Sequence, residues 1–435
     1  MKKLVVFVSI LFVLPWSVFA AVDSVKVSGD ITSQAVTRDL SLGAASSGDS
    51  SDFLTMQARV RFDAALTEGV SAVVQFINER LWGAESVSNT DIDLDLAYLQ
   101  IKEFLTPAAT LIVGRQNLHY GSGLIVGDPD TNQTASGAVP AAVMSDLSLR
   151  KSFDAARLIL DYSPYIVDLV YAKVAEGTAN IDDDVTLFGF NVSYAWNSYN
   201  GLTDFYFFGS ENAPNITVQD EKSKTYVIGT RTQFTPNDHL GVSLEGAYQF
   251  GDRRNSSTSH QHLNAYAIGA GADYKFLDEH NSKIGVIYAY LSGDDPSSKG
   301  YEGWDPMFED QSAGEIANIL FANSNYQLFN IHGSFMPRED LTLGALYSKL
   351  YLAEKIPSSV AASYSPSVGP ASGNTYVIKN SNKDLGDEID LYAVYDYTED
   401  VQFKLTSACF IPGSWFSSVN DDTAYSFKGS VKVAF

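Results

Sequence analysis

The stretch AYSFKGSVKVAF, from Ala424 to Phe435, decides the fold because its residues alternate between two chemical types. Tyr, Phe, Gly and Val occupy one set of alternate positions, and Ala, Ser and Lys occupy the other. Successive side chains of a β-strand point to opposite faces, so this stretch predicts a strand with one apolar and one polar face. Such a strand fits a wall that has lipid on one side and water on the other.

The same period of two recurs in eighteen runs along the chain, and no later stretch shows the 3.6-residue period of an amphipathic helix. Tight connections such as Thr67-Glu68-Gly69 alternate with long ones. The long connections are 40–52, 122–150, 176–184, 211–223, 252–261, 293–324, 354–386 and 412–423. An even strand number and this alternation are typical of bacterial outer-membrane proteins. The sequence therefore predicts an all-β fold, a transmembrane antiparallel β-barrel of about 18 strands.

The N-terminus has the composition of a secretory signal peptide. Lys2 and Lys3 precede an apolar core from Leu4 to Phe19, and Ala20 is the small residue that cleavage requires. We expect residues 1–20 to be removed and residues 21–435 to form one barrel. Its long loops 122–150, 293–324 and 354–386 are expected to be extracellular or folded into the lumen. The expected location is the outer membrane of a bacterial cell.

The composition excludes several classes of protein. Lys plus Arg number 29 and Asp plus Glu number 52, and the formal net charge of −23 disfavours binding to nucleic acid. The single cysteine, Cys409, has no disulfide partner in the chain, and the CxxCH motif of haem attachment is absent. The GxSxG, HExxH and P-loop motifs are absent as well. We therefore expect neither an enzyme nor a bound cofactor or metal.

A barrel of this size encloses water, so its function is expected to lie in the side chains that face the lumen. The alternation indicates a set of inward-facing charged side chains. The candidate pore-lining and substrate-binding residues are Arg59, Arg61, Arg115, Arg157, Arg231, Glu245, His332, Glu388, Asp390 and Lys404. An inward arginine has two interpretations, since a guanidinium holds the carboxylate of a passing acidic sugar as readily as that of a neighbouring strand. The inward charges nearly balance, which assigns the negative surplus to the loops.

Several short motifs resemble the alginate export family of outer-membrane barrels, and in order they span about residues 50–435. The motifs are Ala97-Tyr98-Leu99-Gln100, Gly114-Arg115-Gln116, Tyr120-Gly121, Ile125-Val126-Gly127, Leu385-Gly386-Asp387-Glu388-Ile389-Asp390 and Phe410-Ile411-Pro412-Gly413. The resemblance implies an 18-stranded barrel that conducts a linear uronic-acid polymer outward through a basic constriction. It also implies that Arg115 faces the lumen and that Glu388 and Asp390 form an acidic pair. The C-terminal Phe435 resembles the signal read by the barrel-assembly machinery.

Two functions remain open at this point. The first is a channel for a hydrophilic solute, either an exporter of an acidic polysaccharide or a porin of the same type. The second is a scaffold barrel that sheathes a periplasmic partner, such as a multihaem cytochrome in an electron conduit. The expected partners are the lipid bilayer, lipopolysaccharide, the barrel-assembly machinery and periplasmic export or electron-transfer proteins.

Overall fold

A single antiparallel sheet of eighteen strands closes on itself in the computed structural model, which confirms the predicted fold. The described residues are 22–43, 50–84, 92–129, 142–176, 184–212, 222–256, 259–295, 297–356, 363–366, 371 and 374–435. The predicted signal peptide lies outside them. None of the helices in these ranges is long and apolar enough to cross a bilayer.

The strands and helices have the following bounds. The barrel strands are β1 Ser24–Asp39, β2 Ser50–Thr67, β3 Val70–Leu81, β4 Asp93–Lys102, β5 Ala109–Asn117, β6 Ser152–Tyr162, β7 Tyr165–Ala175, β8 Val185–Ala195, β9 Leu202–Asn212, β10 Ser223–Phe234, β11 Leu240–Ser256, β12 Ser259–Lys275, β13 Lys283–Leu291, β14 Tyr326–Arg338, β15 Leu341–Leu352, β18 Asp384–Asp396, β19 Val401–Pro412 and β20 Ala424–Ala434. A separate two-stranded sheet pairs β16 Ser363–Tyr364 with β17 Tyr376–Val377. The helices are a 3-10 helix at Ala142–Leu147 and α1 at Ala317–Leu320.

The first and last strands close the ring. β1 pairs with β20 from Asp30↔Ala434 to Asp39↔Tyr425. Beyond the last strand, Gly29 and Phe435 exchange two backbone hydrogen bonds of 2.8 and 3.0 Å. Closure pairs the edges that lipid would otherwise leave without hydrogen bonds.

The two faces of the wall differ in polarity, as the alternation predicts. Outward residues such as Leu244, Ile331 and Leu405 are each 51% exposed, which is the exposure expected of a lipid-facing belt. Between the outward positions stand inward polar side chains, among them Asp30 and Arg59, which form an ion pair with each other.

The buried core lies inside the barrel at the end that carries the long loops. It combines inward residues of the strands, such as Leu187 and Phe208, with loop residues such as Val126, Trp304 and Trp415. The loops therefore pack within the ring, and the short-turn end of the lumen is free of this core.

Exchanging the polarity of two adjacent positions on β11 tests the assignment of the faces. We expect L244K to lower the free energy of unfolding by about 2–4 kcal/mol, because a lysine would enter the hydrocarbon region. The matched variant S243K places the same lysine in the lumen and is expected to fold with little loss. Denaturant titration of refolded protein in lipid vesicles measures both. Equal destabilisation by the two variants would contradict the assignment.

Candidate functional site

The β13–β14 loop (292–325) enters the lumen and is held by several strands of the wall. The side-chain amide of Gln249 on β11 donates to the carbonyl of Asp305 at 2.6 Å and accepts the N–H of Asp305 at 2.9 Å. Four strands further round the ring, Ser348 of β15 donates to the carbonyl of Ala313 at 2.9 Å. Side chains that face inward from separate strands thus hold one loop inside the ring.

The strongest anchor of this loop is Glu388, a predicted site residue on β18. Its side chain is fully buried, and its two carboxylate oxygens accept the backbone N–H groups of Ile316 and Ala317 at 2.6 and 2.7 Å. Gly314 passes so close that a Cβ there would lie 2.6 Å from the carboxylate. Asp390, the next inward residue on β18, accepts the N–H of Glu315 at 3.2 Å. The predicted acidic pair therefore fastens the loop to the wall.

The β5–β6 loop (118–151) meets the β13–β14 loop inside the barrel. The N–H groups of Gly127 and Asp128 donate to the carbonyl of Phe308 at 2.7 and 3.0 Å, and the N–H of Phe308 donates to Ile125 at 3.0 Å. Lys151 forms an ion pair with Asp310. We call the joined segments 118–128 and 304–320 the luminal plug.

Glu245 of β11, another predicted residue, holds the plug to a second part of the wall, five strands round the ring from Glu388. The Tyr206 hydroxyl donates to one of its carboxylate oxygens at 2.9 Å, and the hydroxyl of Ser122, within the plug, donates to the other. Arg231 of β10 lies 3.8 Å from the same carboxylate. Two predicted residues thus converge here, and they do so around a loop contact that the sequence did not reveal.

Glu309 is a buried acid within the plug itself. It accepts hydrogen bonds from the Asn323 amide and the Gln311 N–H, yet its burial raises the pKa to about 7, with Asp310 and Asp128 adding to the rise. No sequence pattern singled out Glu309, because its burial depends on how the loop folds. Among the described residues, no group of three or more His, Cys, Asp or Glu is placed to hold a metal ion.

Other predicted residues face the lumen but do not converge on one point. Arg59 pairs with Asp30 at 2.6 Å, and Arg157 pairs with Asp168 at 2.6 Å. The remaining members are Arg61, paired with Asp63; His332, bonded to Asp273 and Asn330; and Lys404, exposed on β19. Pairing with carboxylates of the wall, one of the two interpretations of an inward arginine, is thus present for Arg59, Arg61 and Arg157.

Arg115 faces outward, so its predicted placement in the lumen is wrong. Its neighbour Gln116 is 3% exposed and bonds within the wall, whereas Val113, on the same face as Arg115, is 47% exposed. Arg115 pairs instead with Asp154 on the outer surface, at 3.1 Å. Alternate residues of a strand face opposite sides of the wall, so an error of one residue in the predicted register moves a side chain to the other face.

A basic surface runs along the strands that close the barrel, and we call it the basic seam. Strands β19, β20, β1 and β2 are neighbours in the ring. Their inward cations are Lys26, Arg38, Arg59, Arg61, Lys404, Lys428 and Lys432. The inward carboxylates of the same strands are Asp30 and Asp63. Lys26, Lys404 and Lys432 are exposed, so the seam meets water in the lumen.

Comparison with known proteins points to outer-membrane barrels. The sequence model for alginate export matches residues 30–427. Among solved structures, OccAB2 of Acinetobacter baumannii is 11% identical with a TM-score of 0.58, covering 96% of this chain and 99% of that one. OccK2 (OpdF) of Pseudomonas aeruginosa, solved in complex with glucuronate, is 9% identical with a TM-score of 0.55, covering 95% and 98%. At these identities the likeness shows the fold. A search of curated proteins gave no match.

Removing the Glu388 anchor is expected to loosen the luminal plug. E388A deletes two hydrogen bonds to a charged acceptor, each worth about 1.5–3 kcal/mol. We expect a larger and noisier single-channel conductance in planar bilayers. D387N is the matched control, because Asp387 pairs with Lys349 on the outer face of the same strand. An unchanged conductance in E388A would show that the plug does not limit the passage.

The buried acid Glu309 predicts a pH dependence of the plug. A displaced plug would return its pKa from about 7 toward the ordinary 4.5, so the closed form binds the proton more tightly. This stabilisation is complete below the lower value and is lost as the pH rises through the higher one. The single-channel conductance is therefore expected to increase as the pH rises from about 4.5 to about 7.

The control for the pH experiment is a neutral isostere at the same position. E309Q should flatten the pH profile, and E279Q, at an exposed short turn, should leave it unchanged. Current recordings between about pH 4 and pH 8 bracket both values. A slope that persists in E309Q would assign the titration to another group.

Proposed function

This chain belongs to the alginate export family, and we propose that its lumen conducts an acidic polysaccharide or oligouronate across the bacterial outer membrane. Family and fold together support an outer-membrane channel, and both are those of transport proteins. The identity of the solute as an acidic polysaccharide is the more specific part of the proposal, and it rests on the chemistry of the lumen wall.

The basic seam is the observation that carries the proposal. Seven inward cations stand beside two inward carboxylates on four adjacent strands. Loop carboxylates of Asp146 and Glu315 pair with Arg38 and Lys428, so the remaining excess of positive charge is that of Lys26, Lys404 and Lys432. Exposed ammonium and guanidinium groups along a water-filled wall attract a polyanion, and they offer successive sites at which its carboxylates exchange hydrogen bonds. A chain of uronates would travel along such a surface without being held at one point.

The opposite wall lacks this excess. Arg157 and Asp168, and Arg231 and Glu245, neutralise one another there. The resulting separation of charge across the lumen favours one path for an anionic chain, beside β19, β20, β1 and β2.

The scaffold function receives less support from the structure. A barrel that sheathes a partner protein needs an open lumen, and the described parts of both plug loops occupy that space. A linear polysaccharide needs a narrower path, which the short-turn end and a displaced plug would supply.

Neutralising two seam arginines tests the proposed solute. We expect R59Q/R61Q to weaken the block of current by alginate-derived oligouronates about tenfold or more, because two charge-assisted contacts are lost. The matched double variant R115Q/R338Q removes two arginines from the outer surface, where they pair with Asp154 and Asp340. Its block should equal that of the unmodified protein.

Current recordings with oligouronates also separate an exporter of acidic chains from a general porin. The measurement is the half-blocking concentration in planar bilayers, together with the reversal potential in a salt gradient. A cation-selective current that oligouronates do not change would contradict the proposal and favour a porin whose acidic loops set its selectivity.

A further inference from the structure

A polar cavity lies at the long-loop end of the barrel, outside the basic seam. It has a volume of about 370 Å³, which is within the range of sites for small molecules, about 300–1,000 Å³. The barrel wall supplies Ser210, Asn212, Thr225 and Arg253, and the β13–β14 loop supplies Tyr301 and Asp305. The cavity thus lies between the wall at β9–β11 and the segment that leads into the luminal plug, and Arg253 is exposed to solvent in it.

Arg253 differs from the other inward arginines in its partners. Its guanidinium lies 3.8 Å from the centre of the Tyr301 ring, stacked on that face. Within the described residues it pairs with no carboxylate, whereas Arg59, Arg157 and Arg231 each do. Stacking fixes the plane of the guanidinium, and no described carboxylate takes up its N–H groups.

The carboxylate of Asp305, which lines the same cavity, already accepts two hydrogen bonds. One oxygen of Asp305 accepts the hydroxyl of Thr225 at 2.9 Å, and the other accepts the N–H of Met307 at 3.0 Å. These bonds hold Asp305 to the wall and to its own loop. The cavity therefore presents an arginine with a fixed plane and no ion pair to the carboxylate that shares the cavity.

We propose that this cavity binds one hexuronate unit at the long-loop mouth of the channel. The guanidinium of Arg253 takes the carboxylate through two parallel hydrogen bonds, while Asn212 and Ser210 exchange hydrogen bonds with the sugar hydroxyls. The Tyr301 ring orients the arginine and borders the sugar. The inference rests on the proposed passage of an acidic saccharide, and it adds a discrete site at the end opposite the exposed part of the seam.

The site also has a mechanical consequence for the plug. Tyr301 and Asp305 belong to the β13–β14 loop, whose continuation is anchored by Glu388. A sugar that spans Arg253 on the wall and this loop contacts both sides of the junction, so its binding is linked to the position of the loop.

Binding of D-glucuronate to the refolded full-length barrel in detergent tests the proposal, with D-glucose as the neutral probe. Isothermal titration should detect glucuronate and not glucose. R253Q should weaken glucuronate binding roughly tenfold or more, since it keeps the size of the side chain and removes its charge. R254Q is the matched control because it changes the next arginine, on the other face of the same strand, and should bind as the unmodified protein does.

The outcomes separate this site from the proposed function. Loss of binding in R253Q but not in R254Q supports the site. Equal binding by all three proteins overturns it, and so does an absence of glucuronate binding by the unmodified protein. In both of these cases a current that oligouronates still block, and that R59Q/R61Q still relieves, would leave the channel function standing.

Discussion

A lipid bilayer offers no water to unpaired backbone groups, so the hydrogen bonds between β1 and β20 are the constraint on which the rest of the structure depends. These bonds join residues from opposite ends of the chain, and they fix which side chains become neighbours in the lumen. Arg59 and Arg61 of β2 reach Lys428 and Lys432 of β20 only through this closure. The basic seam is thus a product of ring closure and of no local segment.

The second constraint acts inside the ring. Loops of this length carry many backbone N–H and C=O groups, and a loop that enters the lumen must find partners for them. Glu388 and Asp390 supply acceptors from the wall for backbone N–H groups, and Glu245 accepts the hydroxyl of Ser122. Carboxylates suit this task, because an ionised acid accepts several hydrogen bonds and donates none. Their inward position therefore serves the position of the plug, and any contact with a solute is an additional role.

Much of the fold could be predicted from the sequence because a membrane barrel has lipid on one face and water on the other. Its strands therefore alternate between apolar and polar residues with a period of two. The eighteen strands, the alternation of turns and loops, and the family follow from that period and from short motifs. Which residues of a single strand face the lumen is harder to predict. β4 carries an irregularity opposite Gln75 and Phe76, and Gly114 adopts a φ of +123° just before Arg115. Counting across such a strand without its neighbours placed Arg115 on the wrong face.

The candidate site was less predictable, since its members meet through loops and through closure. Ser122 reaches Glu245, and Tyr301 reaches Arg253, across long stretches of chain that carry no shared motif.

The total of the inward charges was also a poor guide to the electrostatics of the lumen. Summed over the whole wall they nearly cancel, and the protein as a whole is acidic, with a formal net charge of −23. A sum says nothing about position, however, and a lumen acts on a solute through the field at each point along the path. Pairs such as Arg157 and Asp168 cancel locally on one side. On the other side the cations of β19, β20, β1 and β2 outnumber their carboxylate partners by three, since no described carboxylate pairs with Lys26, Lys404 or Lys432. An acidic protein can therefore enclose a basic path, because the charges that a passing polyanion meets are those of four strands and not those of the chain.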